Sequence, residues 1–460
     1  MPERFELDFA ALDQLRERDL ATLRTRTPRA RSYFSRSRQA MPDGVPCSWM
    51  ASFYPGMEIV ADRGEGAYFT DIDGNRFLDM SQCDLSMSCG FGPEGIAKAV
   101  SERFRSGSHF LLPTEDALAV CQLLTDRFTM PAWRFTLSAS SANVEAIRIA
   151  RVLTSRDEVL SFAGKYHGHI DETLTAASPA GMVTDQKGLP RDIVDRTIEV
   201  PFNDIPAVRD VLETLEIACV VAEPVMTNIG VIYPEDGYLD ELRALTRATG
   251  TLLVIDETHT QVAYYGGFTR RWGLEPDILT LGKSLGGGLP FGAYGMTEEI
   301  KEFLEQNAEP RVKYEHAIAL GGTTYGNAIT MAAARAALSE ILTEDAYELV
   351  GKLGEDLADG IESVVQKNNL PWTAQRLGNR SGLFLSTTQP RNATEAHDAL
   401  SKPLNLAQRA FMANRGIWEP IYIHGPSLSF AHGPKEVSTY LAAFDDWIAL
   451  VTKVGKRTDL

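Results

Sequence analysis

Positive charge is in short supply in this chain. Its 460 residues carry 45 Lys and Arg against 62 Asp and Glu, a formal charge of −17. Binders of nucleic acid or anionic membrane meet phosphate with a broad positive field, so neither partner is expected here, although a local basic pocket stays open. Runs of about 18 apolar residues are also absent, and the N-terminus lacks the charged, apolar and small-residue order of a secretory signal. Arg16, Arg18, Arg24, Arg26, Arg29 and Arg31 suggest a transit peptide until Glu3, Glu6, Asp8, Asp13, Glu17 and Asp19 are counted beside them. A solvated helix is the expectation. Cysteine is scarce: Cys47, Cys83, Cys89, Cys121 and Cys219 are odd in number and form no CxxC pair. That argues against a disulfide framework or zinc knuckle and suits free thiols in a reducing cytoplasm.

What is present is an ordinary globular balance, 44% hydrophobic and 23% charged. The length predicts one large domain carrying a smaller one. Ile217–Ala222 is an uninterrupted apolar run, as expected of a strand buried on both faces. A helix follows with Leu239, Leu242 and Leu245 on one side; Gly250 closes it, and Leu252–Ile255 is the next strand. The same rhythm recurs at Phe135–Leu137 into a helix from about Ala142, with Val144, Ile147, Ala150 and Leu153 inward, and at Val159–Phe162 and Ile278–Leu281. Strands joined by helices imply an α/β fold with a mostly parallel sheet, whose ligands sit beyond the carboxyl ends of the strands. Past about residue 330 the pattern changes, with a helix over Met331–Leu342 and a strand at Gly382–Leu385. The expected division is 70–330 for the large domain and 331–460 for a smaller α+β domain, joined by the segment 1–69.

Three strand ends carry chemistry. The Leu252–Ile255 strand delivers Asp256, and a carboxylate there is costly unless a cation or donors meet it. Twenty-seven residues on, Ile278–Leu281 ends in Gly282-Lys283-Ser284, where a desolvated Lys amine suits Schiff-base chemistry. After Phe135–Leu137 comes Ser138-Ala139-Ser140-Ser141, small residues at a helix start where amides and the helix dipole favour an anion. Each has a plainer explanation: a solvated or capping Asp, a surface Lys, a Ser N-cap. Together they supply what pyridoxal phosphate (PLP) requires: an amine, an acid partner for the pyridine nitrogen, and phosphate donors.

These residues, with Tyr166-His167-Gly168-His169, Glu223-Pro224-Val225 and Gly321-Gly322-Thr323-Thr324, resemble the class-III aminotransferases of the aspartate-aminotransferase fold (fold type I). The branch around glutamate-1-semialdehyde 2,1-aminomutase is the most similar. The resemblance implies that Lys283 is the Schiff-base Lys and proton shuttle and that Asp256 partners the ring nitrogen. It puts Ser138, Ala139 and Ser140 in the phosphate cup, Tyr166 and Thr258 on the two ring faces, and Glu223 near the ring hydroxyl. Thr323 would reach the phosphate of a neighbouring subunit, which implies a homodimer with shared sites.

Departures accompany the matches. The cup reads Ser-Ala-Ser where Ser-Gly-Thr is usual, and Thr258 stands where an aliphatic residue is commoner. Residues 45–51 hold no Arg where the aminomutase binds its substrate carboxylate, and Asn228 stands where ornithine- and 4-aminobutyrate-type enzymes carry a second Glu. A substrate pocket of Trp49, Met50 and Met87 beside Tyr166 is expected instead. Arg376 and Arg380 are further candidates for carboxylate recognition, against an equal case for surface or salt-bridge roles.

The expected reaction is ping-pong transfer from an amine or amino acid to a keto acid or aldehyde. An aminomutase or racemase of the same fold is the alternative, and a non-catalytic interaction protein of that fold a third reading. No metal is expected: His167 and His169 have no ligand cluster beside them, and Gly286-Gly287-Gly288 lacks the dinucleotide-binding pattern.

Overall fold

A computed structural model describes residues 4–178, 181–184, 187–307, 311–313, 317–420 and 424–458. The chain forms two compact units. One comprises Met1–Pro93, Glu348–Gln389 and His397–Leu460, the other Glu94–Tyr347 and Pro390–Ala396. The boundaries differ from those expected at 70 and 331. Arg76–Asp79 pairs in parallel with Ile417–Trp418, which takes residues 70–93 into the first unit. The helix Ala328–Ala336 buries its alanines in the second.

The first unit is α+β. Its four-stranded sheet runs Ile417–Trp418, Arg76–Asp79, Tyr68–Asp71, Ala61–Glu65. The helices Phe9–Arg26, Lys402–Ala413 and Pro434–Val454 supply Leu12, Phe411, Tyr440, Phe444 and Trp447 to one apolar core. The Arg-rich N-terminal segment is two helices, Phe9–Arg26 and Pro28–Ser37, with its arginines largely toward water.

The second unit is built on a seven-stranded sheet. Its order is Ala132–Thr136, Gly292–Met296, Ile278–Gly282, Leu252–Asp256, Ile217–Ala222, Glu158–Phe162, Thr197–Val200. Six strands share one direction and Gly292–Met296 runs against its two neighbours. All six residues of Ile217–Ala222 are buried, as an uninterrupted apolar run demands of a strand covered on both faces. Gly292–Met296 hides from pattern because packing, not alternation, selects its residues. A Cβ on Gly292 would lie 2.2 Å from the Ser138 carbonyl oxygen, and one on Gly295 2.8 Å from the Trp133 ring.

The helix crossing this sheet is Ala139–Thr154, three residues longer at its start than expected because Ser138 caps it, its Oγ accepting from Ser141 N at 3.2 Å. Its buried face is Ala142, Asn143, Glu145, Ala146, Ile147, Ile149 and Ala150; Val144 and Leu153 are half-buried. The helix expected over Met331–Leu342 begins instead at Ala328, where Asn327 caps it, and widens into a broader turn over Ala337–Ile341. Among the described residues no helix is long and apolar enough to cross a membrane.

Candidate active site

The parallel strands deliver their ends to one edge of the sheet, as this topology requires. Asp256 ends Leu252–Asp256, Lys283 follows Ile278–Gly282, Glu223 follows Ile217–Ala222, Ser138 comes just after Ala132–Thr136, and Tyr166 and His167 lie in the loop after Glu158–Phe162.

Asp256 is 3% exposed, and three donors meet it. His167 Nδ1 lies 2.9 Å from Oδ2, Asn143 Nδ2 donates to the same oxygen at 2.9 Å, and Thr258 N donates to Oδ1 at 2.9 Å. Asn143 is held in turn: its Nδ2 also reaches the His167 carbonyl at 2.8 Å and its Oδ1 accepts from Thr280 Oγ1 at 2.7 Å. Burial works to raise the carboxyl pKa, but the His167 hydrogen bond and charge, with the Thr258 contacts, outweigh it and hold it below the usual range. A dry, ionised carboxylate results. The adjacent Glu257, also buried, turns elsewhere: it accepts from Thr260 Oγ1, Thr269 N and Thr269 Oγ1.

Lys283 is half-buried and has a left-handed backbone, φ 56°. Gln261 ties the chain on either side of it, donating from Nε2 to Gly282 O at 3.4 Å and to Ser284 Oγ at 3.2 Å. The cup packs against the same turn: a Cβ on Gly282 would come within 3.0 Å of the Ala139 Cβ. Ser140 Oγ accepts from His169 N at 3.0 Å, which leaves its own hydrogen for an anion. Gly168, at φ 105°, leaves room for Ser140, whose Oγ would lie 2.2 Å from an added Cβ.

Glu223 is buried, and burial lifts its carboxyl to about 7 against the pull of His167 and Thr227. Tyr166 and Thr258 are half-buried, and Thr323 is exposed in the turn before Ala328–Ala336. Trp49, Met50 and Met87 belong to the first unit. Trp49 and Met50 line a cavity there, and Met87 is not on its wall. Arg376 is occupied by Asp359 at 2.7 Å, and Arg380 is buried in the Arg380–Phe384 strand. His167 is buried on Asp256 while His169 is exposed, so the two imidazoles do not converge.

An ionised carboxylate in dry surroundings, a Lys at a strand end and a helix N-terminus are the donor set that PLP needs, and the residues fit it. The family model for class-III aminotransferases matches residues 50–410. The chain belongs to that family. It is a PLP-dependent enzyme of fold type I. This class-III aminotransferase is 35% identical over 437 residues to glutamate-1-semialdehyde 2,1-aminomutase 2 of Lysinibacillus sphaericus, covering 92% of this chain and 99% of that protein. The structure of a glutamate-1-semialdehyde aminomutase from Pseudomonas aeruginosa superposes with a TM-score of 0.92 at 32% identity, over 97% of this chain and 100% of that one. An omega-transaminase from Sphaerobacter thermophilus gives 0.84 at 29%, over 92% and 97%.

Two polar residues of this class-III enzyme's site, Asn143 and Gln261, carry little signal in the sequence, and His167 carries a misleading one. Asn143 had one visible signal, a polar side chain among alanines on a helix face that turns out to be buried. His167 is half of a His-x-His pattern, whose plain chemical meaning is metal and not the carboxylate it meets.

Proposed function

We propose that this enzyme moves an amino group between neighbouring carbons of one substrate, the aminomutase reaction, with PLP as cofactor. The observation that carries the cofactor chemistry is the donor-held Asp256 carboxylate on the sheet edge that also bears Lys283. Relatives named aminomutases, at 35% and 32% identity over nearly the whole chain, support relocation within a substrate over exchange between two.

Bound PLP supplies the electrophilic carbon and the electron sink. Asp256 keeps a proton on the ring nitrogen, which a charged carboxylate does and a neutral one does not. Lys283 Nζ takes a proton from one substrate carbon and returns it to the next. The first-turn amides of Ala139–Thr154, with Ser138, Ala139 and the Ser140 hydroxyl, hold the phosphate. Tyr166 and Thr258 flank the ring, and Glu223 sits by its hydroxyl. Thr323 from a second copy completes the cup, so the working form is a homodimer. The cytoplasmic placement rests on five cysteines that form no disulfide.

The absence of Arg from residues 45–51 and the aromatic cavity bearing Trp49 and Met50 favour a second reading, transfer from an amine or amino acid to a separate keto acid or aldehyde. The omega-transaminase likeness supports it. Holoenzyme incubated with glutamate 1-semialdehyde and with a panel of apolar amino aldehydes and amines, with and without pyruvate or 2-oxoglutarate, separates the two. Isomer formed without an acceptor supports the aminomutase, and product that appears only with one supports the transaminase. No product under any condition sinks both.

A further inference from the structure

Lys165 and Glu199 form an ion pair inside the second unit, with 3% and 5% of their side chains exposed. Lys165 Nζ donates to Glu199 Oε2 and to the Thr175 carbonyl. The reaction at Lys283 has no use for this second amine. Nor is stability its evident purpose: taking two charges out of water costs much of what their attraction returns, and apolar side chains of the same volume often serve a fold as well or better. What such a pair does supply is a directional link between two fixed points.

The points it links are the edge strand of the sheet and the loop after Glu158–Phe162, which carries Tyr166 and His167. Glu199 stands opposite Ser161 in the sheet, so the loop sets out beside it. Each residue around Tyr166 is anchored to a different element. Gly164 O accepts from Asn228 Nδ2 at 3.2 Å, Lys165 is held by its side chain, and His167 O accepts from Asn143 Nδ2 at 2.8 Å while its ring meets Asp256. Gly164 turns the chain at φ 85°, where an added Cβ would come within 2.4 Å of Ile229 Cδ1. The two Asn side chains grip carbonyls two residues before Tyr166 and one after it. The ion pair grips the residue directly before it.

We infer that Lys165 and Glu199 are positioning residues for Tyr166, setting the loop so that the phenol ring is presented to PLP. The inference rests on the proposed place of Tyr166 at the cofactor ring, and aromatic contacts depend on the offset and tilt of the rings, which the residue before Tyr166 controls. The test reads the visible circular dichroism of bound PLP and the PLP dissociation constant of the full-length protein, with urea unfolding of the PLP-free protein as the stability control. Tyr166→Ala sets the scale: losing one aromatic contact is expected to weaken PLP binding about tenfold and to alter the dichroic band. Lys165→Met combined with Glu199→Leu removes both charges at similar volume, so its urea midpoint should stay near the wild-type value. Its PLP binding is expected to be about threefold weaker, with the band altered in the sense seen for Tyr166→Ala. Glu199→Gln keeps an oxygen for Lys165 Nζ and should stay within about twofold of the wild type. A double variant with wild-type band and affinity overturns the inference while leaving Tyr166 at the ring. Tyr166→Ala without effect removes Tyr166 from the ring and the inference with it. A double variant that does not fold assigns the pair to stability, and Glu199→Gln falling as far as the double variant assigns it to charge; either result also overturns the inference.

Discussion

His167 and Asp256 meet Nδ1 to Oδ2 at 2.9 Å in a region where neither side chain reaches water. The imidazole is the largest favourable influence on the Asp256 charge, so removing it must raise the carboxyl's pKa. Activity that needs an ionised Asp256 falls as pH drops through that pKa. The acid limb of kcat/KM in His167→Gln is therefore expected at higher pH than in the wild type, with a smaller effect at pH 8. Asp256→Asn, which loses the charge at every pH, should lower kcat by about 10²- to 10⁴-fold without restoring it at any pH. An acid limb that stays in place in His167→Gln would mean the carboxylate is held charged without the imidazole.

Lys283 occupies a backbone conformation that glycine adopts freely and an L side chain does not. The site thus carries local strain at the residue assigned the proton transfer. Lys283→Ala and Lys283→Gly should both lose turnover, because neither has an amine. They should differ in stability. The Gly variant is expected to be about 1 kcal/mol more stable than the Ala variant in urea unfolding of the PLP-free protein, offset in part by its greater freedom when unfolded. Equal midpoints would show that the turn relaxes when the amine is gone.

The parts of this fold legible in sequence are those where burial acts on contiguous residues. Ile217–Ala222 is apolar without a break and Ile278–Leu281 is interrupted only by Thr280, as buried strands of such a sheet are, and a charged residue at the end of such a run identifies itself as an exception. Asp256 and Lys283 stand out for that reason. Asn143 and His167 do not, because their contacts to Asp256 span 113 and 89 residues of chain and no local period encodes them. The Gly292–Met296 strand was equally silent, since two of its five positions are glycine for the sake of Ser138 and Trp133. The division into two units is not legible in the sequence because a two-residue strand, Ile417–Trp418, joins Arg76–Asp79 from more than three hundred residues away.

Glu223 makes the PLP-free protein's stability depend on pH in a direction that can be worked out. Its carboxyl titrates near 4.5 when exposed and at about 7 when folded, because burial dominates. Between these values the folded state keeps a proton that the unfolded state has lost, so stability falls as pH rises through that window. The loss is on the order of 3 kcal/mol. Glu223→Gln resembles the protonated form and has no such slope. Urea unfolding at pH 5, 6, 7 and 8 should find the variant gaining on the wild type with each step up to about pH 7 and levelling off above it. A gap that stays constant across the window would show that the folded carboxyl titrates normally.

Phe104, Phe110, Leu111, Leu112 and Leu118 lie within fifteen residues of the second unit and are all exposed, Leu111 at 72% and Leu112 at 70%. Apolar side chains gathered this way on one stretch favour a partner surface, and a second copy of the chain is the partner the proposed shared site calls for. Introducing two charges, Leu111→Glu with Leu112→Glu, should convert the proposed dimer to monomer in sedimentation velocity while leaving the far-ultraviolet circular dichroism unchanged. If Thr323 acts across the interface, that monomer should also hold PLP at least about tenfold less tightly, as a lost charge-assisted phosphate contact implies. Thr323→Ala then separates the two effects. It should weaken PLP binding in a protein that still sediments as a dimer, whereas a dimer with unchanged PLP affinity would remove Thr323 from the cup and leave the interface standing on its apolar stretch alone.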